Sequence, residues 1–289
     1  MRIIDAHNHP DWHGHNLQKF LQNMATYNIE RTWLLSWESL PDEYAPDPYF
    51  KVSLTQDGYP IPFSNCLRYK QAAPEKFTLC YGPDPRRPEA IDQLEAAIEL
   101  HGVQVYGELK LRMMYDNPDA LRMYRYCGEK KLPVVVHIDY PLETGQRYPR
   151  PTWWYGGGIA PFERAVQACP ETIFIGHAPG FWAHISGDDL YDKVAYPSGP
   201  VLPDGKLLQM FRDYPNLYAD LSAGSALRAL SRDREFSKDF LIEFQDRLLY
   251  GRDCFDNRCQ ELLNGLDLSE TVLQKIYADN ALRLAPTQY

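Results

Sequence analysis

Eight short apolar segments, each followed by a stretch with helical spacing, predict an α/β chain closed into a (β/α)8 TIM barrel. Two further observations favour closure over an open sheet. The turn after the first segment reads His-Asn-His-Pro (7–10), where a doubly wound nucleotide-binding sheet needs a glycine-rich turn. No linker, repeat or low-complexity run divides the 289 residues, so a single domain over 1–289 is expected.

The first strand runs through Ile3, Ile4 and Ala6 and sets Asp5, His7 and His9 at alternate positions, hence on one face. Residues 16–28 read as a helix with Leu17, Phe20, Leu21 and Met24 on one side. The second strand is 31–37 (RTWLLSW); a polar, proline-studded stretch at 38–63 and a short helix to Lys70 lead to the third, 76–82. Asp84 and Pro85 open a helix carrying Ile91, Leu94 and Ile98, which Gly102 stops. The fourth strand is 103–110 (VQVYGELK). Asn117 caps the next helix with Pro118 in its first position, and the fifth strand is 133–137 (PVVVH). An aromatic loop at 139–158 and a helix at 159–168 precede the sixth strand, 172–176, which ends in His177. A loop at 178–203 and a helix at 206–214 lead to the seventh strand, 216–221 (NLYADL). Helical sequence covers 226–245, the eighth strand is 247–251, and a last helix starts near Ser269 with Leu273, Ile276, Tyr277 and Leu282.

Composition narrows the function classes. Hydrophobic content of 44% and charged content of 24% belong to a soluble globular chain. A net charge of −9 argues against nucleic acid as a main partner but leaves an anionic small molecule open, because local arginines override a global field. No apolar run approaches the roughly 18 residues of a membrane span. Strand-like sequence from Arg2 leaves no signal peptide, and six cysteines without CxxC spacing are expected to be reduced; both point to the cytoplasm. Twenty tyrosines and six tryptophans, several in loops, suit a pocket for a ring or a sugar. Loop aromatics also serve subunit contacts, so a homo-oligomer is an expected partner beside the small-molecule substrate.

Barrel active sites lie at the C-terminal ends of the strands. There the chain offers His7 and His9, Glu108 and Lys110, His137, His177 and Asp253. Histidine with carboxylate oxygen is the donor set of Zn²⁺ or a similar divalent ion, with Mn²⁺ as the alternative. Asp5 and Asp139 are expected to support these side chains or pair with a cation. Cys254 reads as a packed thiol, His101 as structural, and His13, His15 and His184 as solvated or substrate-touching loop residues.

His-Asn-His after strand one, a His ending strand five, Gly-His ending strand six, an Asp after strand eight and the C-terminal IYADNALRLA together resemble the amidohydrolase superfamily. The likeness is to its amidohydrolase-related branch, which includes aminocarboxymuconate-semialdehyde-decarboxylase-like enzymes. The resemblance spans essentially the whole chain. It implies a metal held by His7, His9, His137 and Asp253, with His177 as a catalytic residue or a ligand to a second ion. The Gly-Glu-Leu around Glu108 resembles the metal-bridging glutamate of TatD-like members. Other members carry a carboxylated lysine on this strand, where Lys110 lies, so one ion or two are expected.

In such a site a divalent ion lowers the pKa of a bound water to about 7. Asp253 then serves as base and acid, and His177 polarises a carbonyl. The expected activity is hydrolysis of a small ester, lactone or amide. Nonoxidative decarboxylation of a small carboxylate shares the same ligands and is the alternative; a catalytically idle ligand-binding barrel is the second. Arg112, Arg147 and Arg150 are candidate clamps for an anionic group. Trp12, Trp153, Trp154, Tyr155, Phe181 and Trp182 are candidate pocket walls.

Overall fold

A computed structural model describes residues 1–38, 61–139 and 155–287. Its strands are β1 (Ile4–Asn8), β2 (Arg31–Leu35), β3 (Phe77–Cys80), β4 (Tyr106–Leu109), β5 (Val134–His137), β6 (Phe174–His177), β7 (Leu217–Asp220) and β8 (Leu248–Leu249). They pair in parallel in two runs, β1 to β3 and β4 to β8. Backbone hydrogen bonds join the runs into a barrel. At one seam the Tyr81 amide donates to the Val105 carbonyl (3.0 Å) and the Gly107 amide to that of Tyr81 (3.2 Å). At the other, Ala6 donates to Tyr250 (2.8 Å) and Asp253 to His7 (2.8 Å).

Around the barrel lie α1 (Leu17–Thr26), α2 (Phe63–Ala72), α3 (Ala90–His101), α4 (Pro118–Lys130), α5 (Ile159–Ala168), α6 (Pro179–Trp182), α7 (Lys206–Asp213), α8 (Ala223–Leu230), α9 (Arg234–Glu243), α10 (Arg258–Gly265), α11 (Glu270–Gln274) and α12 (Asn280–Leu284). No described helix is long and apolar enough to cross a membrane. Strands covered on both faces read as unbroken apolar runs, and Val134, Val135 and Val136 of β5 are all fully buried. Ile4, Trp33, Leu35, Val135, Ile175 and Leu249 form an inner cluster. A larger one fills the space between strands and helices.

Several boundaries differ from the sequence reading. The helical sequence at 226–245 is two helices, because the Asp233 carboxylate accepts the Phe236 amide (3.1 Å) and so caps a new helix at Arg234. The helix expected from Asp84 starts at Ala90; Asp84 instead accepts the Arg86 amide (3.0 Å) and guanidinium in a local turn. Within the expected loop at 178–203 lie α6 and two short 3₁₀ turns. The predicted stretches at 38–63 and 139–158 lie largely outside the described residues.

Two slips of register aim the site. In β1 the pairing shifts between Asp5 and Asn8, so strict alternation does not carry across it. Asp5 therefore does not share the face of His7. Its carboxylate accepts the Arg252 amide (2.9 Å), the Arg252 guanidinium (2.8 Å) and the Asn8 amide group (3.1 Å). Arg252 in turn reaches Asn23 of α1 (2.6 Å). In β4 the pairing shifts between Tyr106 and Leu109 around Gly107, where a Cβ would lie 2.8 Å from the Val135 carbonyl oxygen.

Candidate metal centre

The strand ends bring six side chains to one buried point. Glu108 stands in the middle: His9 Nε2 is 3.4 Å from its Oε2, and the Nε2 atoms of His7 and His177 are each 3.9 Å from its Oε1. Asp253 faces the same point, with Oδ1 3.5 Å from His9 Nε2 and Oδ2 3.7 Å from His177 Nε2. His137 lies beside Glu108, its Nδ1 2.7 Å from Oε1, and its Nε2 is 3.3 Å from Asp139 Oδ2.

Outer partners set the imidazole tautomers. His7 Nδ1–H donates to Asp220 Oδ2 (2.8 Å), His177 Nδ1–H to Asp220 Oδ1 (2.9 Å), and His9 Nδ1–H to the Leu35 carbonyl (2.8 Å). The His7 and His9 rings thus present Nε2 lone pairs to the centre, whereas His177, held charged by Asp220, Asp253 and Glu108, turns an Nε2–H towards Asp253. Asp220, fully buried, holds two of these rings, and the sequence analysis does not single it out. It also accepts the Ser222 hydroxyl (2.5 Å) and amide (3.2 Å). The signal was present, since Asp220 ends the seventh strand as the other candidates end theirs. Asp253 sits in the left-handed region at φ 51°, which Asp tolerates better than most residues. Its carbonyl accepts the Trp12 indole N–H (2.9 Å), and its amide is held by His7.

The donor set fits a divalent cation. His7 Nε2, Glu108 Oε2 and Asp253 Oδ1 are buried without a hydrogen-bond partner, an arrangement that costs about 1–3 kcal/mol for each polar group left bare. Bonds of about 2.1 Å place tetrahedral donors about 3.4 Å apart, the separation found from His9 to Glu108 and to Asp253. Among the described residues His7, His9 and Glu108 form one group with metal-ligand spacing, Glu108, His137 and His177 a second, and His7, His177 and Asp220 a third, whose atoms are joined by hydrogen bonds. The field also favours positive charge. Burial pushes the His177 imidazole down, but Asp220, Asp253 and Glu108 push it up further, to about 10. Burial raises the Glu108 and Asp253 carboxyls, yet Lys110 and His137 around the first and His177, His7 and His9 around the second hold both well below the usual range.

The remaining candidates separate. Lys110 is buried with Nζ 4.2 Å from the Trp37 ring and 5.6 Å from the Tyr155 ring. Arg112 is half-buried two residues further on. Trp12 packs edge-on against His9 at 5.5 Å between ring centres. Arg147, Arg150, Trp153 and Trp154 lie outside the described residues. Phe181 and Trp182 do not wall this site: they are buried against Phe162 and Phe240 behind it. His184 is neither solvated nor at the centre, but buried against Tyr191. His13 is exposed, and His15 stacks on Phe255 at 3.7 Å. His101 is exposed at the end of α3, and burial pushes the Cys254 thiol up to about 12.

Comparisons with known proteins give the family and the fold. The amidohydrolase family profile matches residues 4–286, and the chain belongs to that family. Among solved structures, an uncharacterized TIM-barrel protein from Bordetella bronchiseptica superposes with a TM-score of 0.65 at 16% identity, covering 98% of each chain. A putative 2-pyrone-4,6-dicarboxylic acid hydrolase from Pseudomonas putida gives 0.63 at 14% identity, covering 98% of this chain and 97% of its own. The 5-carboxyvanillate decarboxylase of Sphingomonas paucimobilis gives 0.61 at 13% identity and 99% of each. No curated protein matches the sequence.

Proposed function

We propose that the protein is a metal-dependent hydrolase of a small ester, lactone or amide that carries an anionic group. The observation that carries this reading is the meeting of three unpartnered buried donors, His7 Nε2, Glu108 Oε2 and Asp253 Oδ1, beside His9 Nε2. These four residues would hold one divalent ion, Zn²⁺ by donor type. Such an ion lowers the pKa of water to about 7 and supplies a nucleophile at neutral pH. Asp253 is placed to take the proton and return it to the leaving group. His177, fixed through Nδ1 by Asp220, turns Nε2 to the same space and polarises the carbonyl under attack. His137 steadies Glu108 by a hydrogen bond, since 2.7 Å is shorter than the separation of two donors on one ion. Lys110 attracts the anionic group, and Trp12, Trp37 and Tyr155 offer apolar surface to its ring or chain. Six unpaired cysteines suit a reducing compartment, and we place the activity in the cytoplasm.

Glu108 with His137 and His177 forms a second group, which would hold a second ion only if His137 gave up its hydrogen bond to Glu108, and metal analysis separates one equivalent from two. The similar solved structures include a decarboxylase as well as a protein named as a putative hydrolase, so the deciding assay offers the zinc-loaded protein both generic lactones and aromatic carboxylates. Lactone opening that Asp253→Asn abolishes supports the hydrolase; carbon dioxide release without lactone opening overturns it. A protein that retains no divalent ion when purified without chelator removes both.

A further inference from the structure

The segment that carries Asp253 has no regular structure of its own. Residues 250–257, between β8 and α10, are neither strand nor helix. Their backbone groups still need partners once removed from water, and the start of the chain supplies them. The amides of Arg252 and Asp253 donate to the His7 carbonyl (3.3 and 2.8 Å). Three successive carbonyls then accept three side-chain donors: Asp253 O from Trp12 Nε1–H (2.9 Å), Cys254 O from Asn8 Nδ2 (2.8 Å) and Phe255 O from Asn23 Nδ2 of α1 (2.7 Å). In an extended strand successive carbonyls point to opposite sides, so one neighbour takes only alternate ones. The turn at Asp253, with φ 51°, breaks that alternation and lets the N-terminal residues take all three.

Asn8 is the centre of this clamp. It is fully buried, and both protons and the oxygen of its amide are engaged. Nδ2 donates to Cys254 O and to Asp5 Oδ2 (3.1 Å), and Oδ1 accepts the His9 amide (3.0 Å). One side chain thus ties the backbone of His9 to the segment of Asp253. Only a group with donors at one end and an acceptor at the other fills that place; aspartate loses both donations and leucine all three bonds. Trp12 makes a second link, since its indole holds Asp253 O while its ring lies edge-on to His9. The Asp253 carboxylate has no comparable anchor. Its Oδ1 is buried without a partner, and its contacts with His9 and His177 are at 3.5 and 3.7 Å, so the backbone sets its aim. We propose that Asn8, Trp12 and Asn23 are positioning residues, which hold the carbonyls of 253–255 so that the Asp253 carboxylate stands beside His9 before any cation arrives. The role rests on the proposed part of Asp253 as metal donor and base.

Amide hydrogen exchange of the metal-free protein, read by mass spectrometry, tests the clamp without the cation. In the wild type the Arg252 and Asp253 amides should be protected like those of β7 and β8, although they lie outside any strand. Exchange at the rate of an open loop overturns the proposal, and no variant has to fold for that result. Trp12→Phe keeps an aromatic ring and removes the N–H. It and Asn8→Ser should each speed exchange at 252–253 by about tenfold, the effect of a buried carbonyl left without its donor, and leave α3 and α4 unchanged. Equal speeding throughout the chain marks a general loss of stability and refutes a local clamp. Competition with a chromophoric chelator then reads the aim of the carboxylate. Each substitution should weaken Zn²⁺ binding about tenfold when Asp253 is present and less than about twofold in an Asp253→Ala background, because its effect passes through that residue. Equal losses in both backgrounds overturn the positioning role. If Asp253→Ala itself binds Zn²⁺ as tightly as the wild type, the donor role of Asp253 fails and with it the purpose of the clamp, whereas the exchange rates still show whether the clamp exists.

Discussion

Replacing Asp220 by Asn should disarm one histidine chosen in advance by the hydrogen-bond pattern. Asp220 Oδ1 accepts three donors, from His177 (2.9 Å), the Ser222 hydroxyl (2.5 Å) and the Ser222 amide (3.2 Å); Oδ2 accepts His7 alone (2.8 Å). An asparagine keeps its single oxygen where three donors converge, so its NH₂ replaces Oδ2. Facing a donor, His7 shifts its proton from Nδ1 to Nε2, and the lone pair aimed at the centre is lost. Changes to such outer partners lower metal affinity about 10- to 100-fold, or about 1.4 to 2.7 kcal/mol. Competition with a chromophoric chelator measures the affinity, and long-range nitrogen–proton NMR reads the tautomer. Wild-type affinity within twofold, or a His7 ring still protonated on Nδ1, would refute the reasoning.

Other consequences are smaller in scope. Glu108→Gln removes the central donor, and metal affinity should fall by more than the about 10- to 100-fold that an outer partner is worth; full metal content in dialysed protein contradicts this. Arg252→Met strands the buried Asp5 charge it meets at 2.8 Å, a loss of about 3–5 kcal/mol by urea unfolding, partly recovered by adding Asp5→Asn. The buried His184 is pushed down to about 4, by burial and then by Lys206. The unfolded chain takes that proton first, so stability is lost as pH falls from about 6.5 towards 4, by on the order of 3 kcal/mol. His184→Gln should flatten the pH slope of unfolding relative to wild type, and equal slopes would dismiss the effect.

The barrel was legible because its strands, covered on both faces, are nearly continuous apolar runs with chemistry placed only at their ends. His7, His9, His137, His177 and Asp253 were visible for the same reason. What escaped depends on register. Alternation puts Asp5 on the face of His7 and allows it a cation as partner; the partner is Arg252, but a slip in β1 takes Asp5 off that face. Glu108 was one of several placements on its strand until the shift around Gly107 set it among the imidazoles. Asp220 carried no motif, for its partners lie 213 and 43 residues away. Phe181 and Trp182 were aromatic residues in an apparent loop, but that loop folds back as α6 and drives both into the core.

The seam between the first and last strands has a consequence in time. His7 O accepts the amide of Asp253, so donors from the two ends of the chain are bonded neighbours. As the polypeptide leaves the ribosome, His7 and His9 emerge first and wait for Glu108, then His137 and His177, and last for Asp253. Chains fold in order of synthesis, but the last edge of this barrel cannot shut until β8 arrives. Stable capture of a cation at the proposed centre would therefore wait until β8 has been made, and a metal ion that stays bound would report that β8 has reached its place.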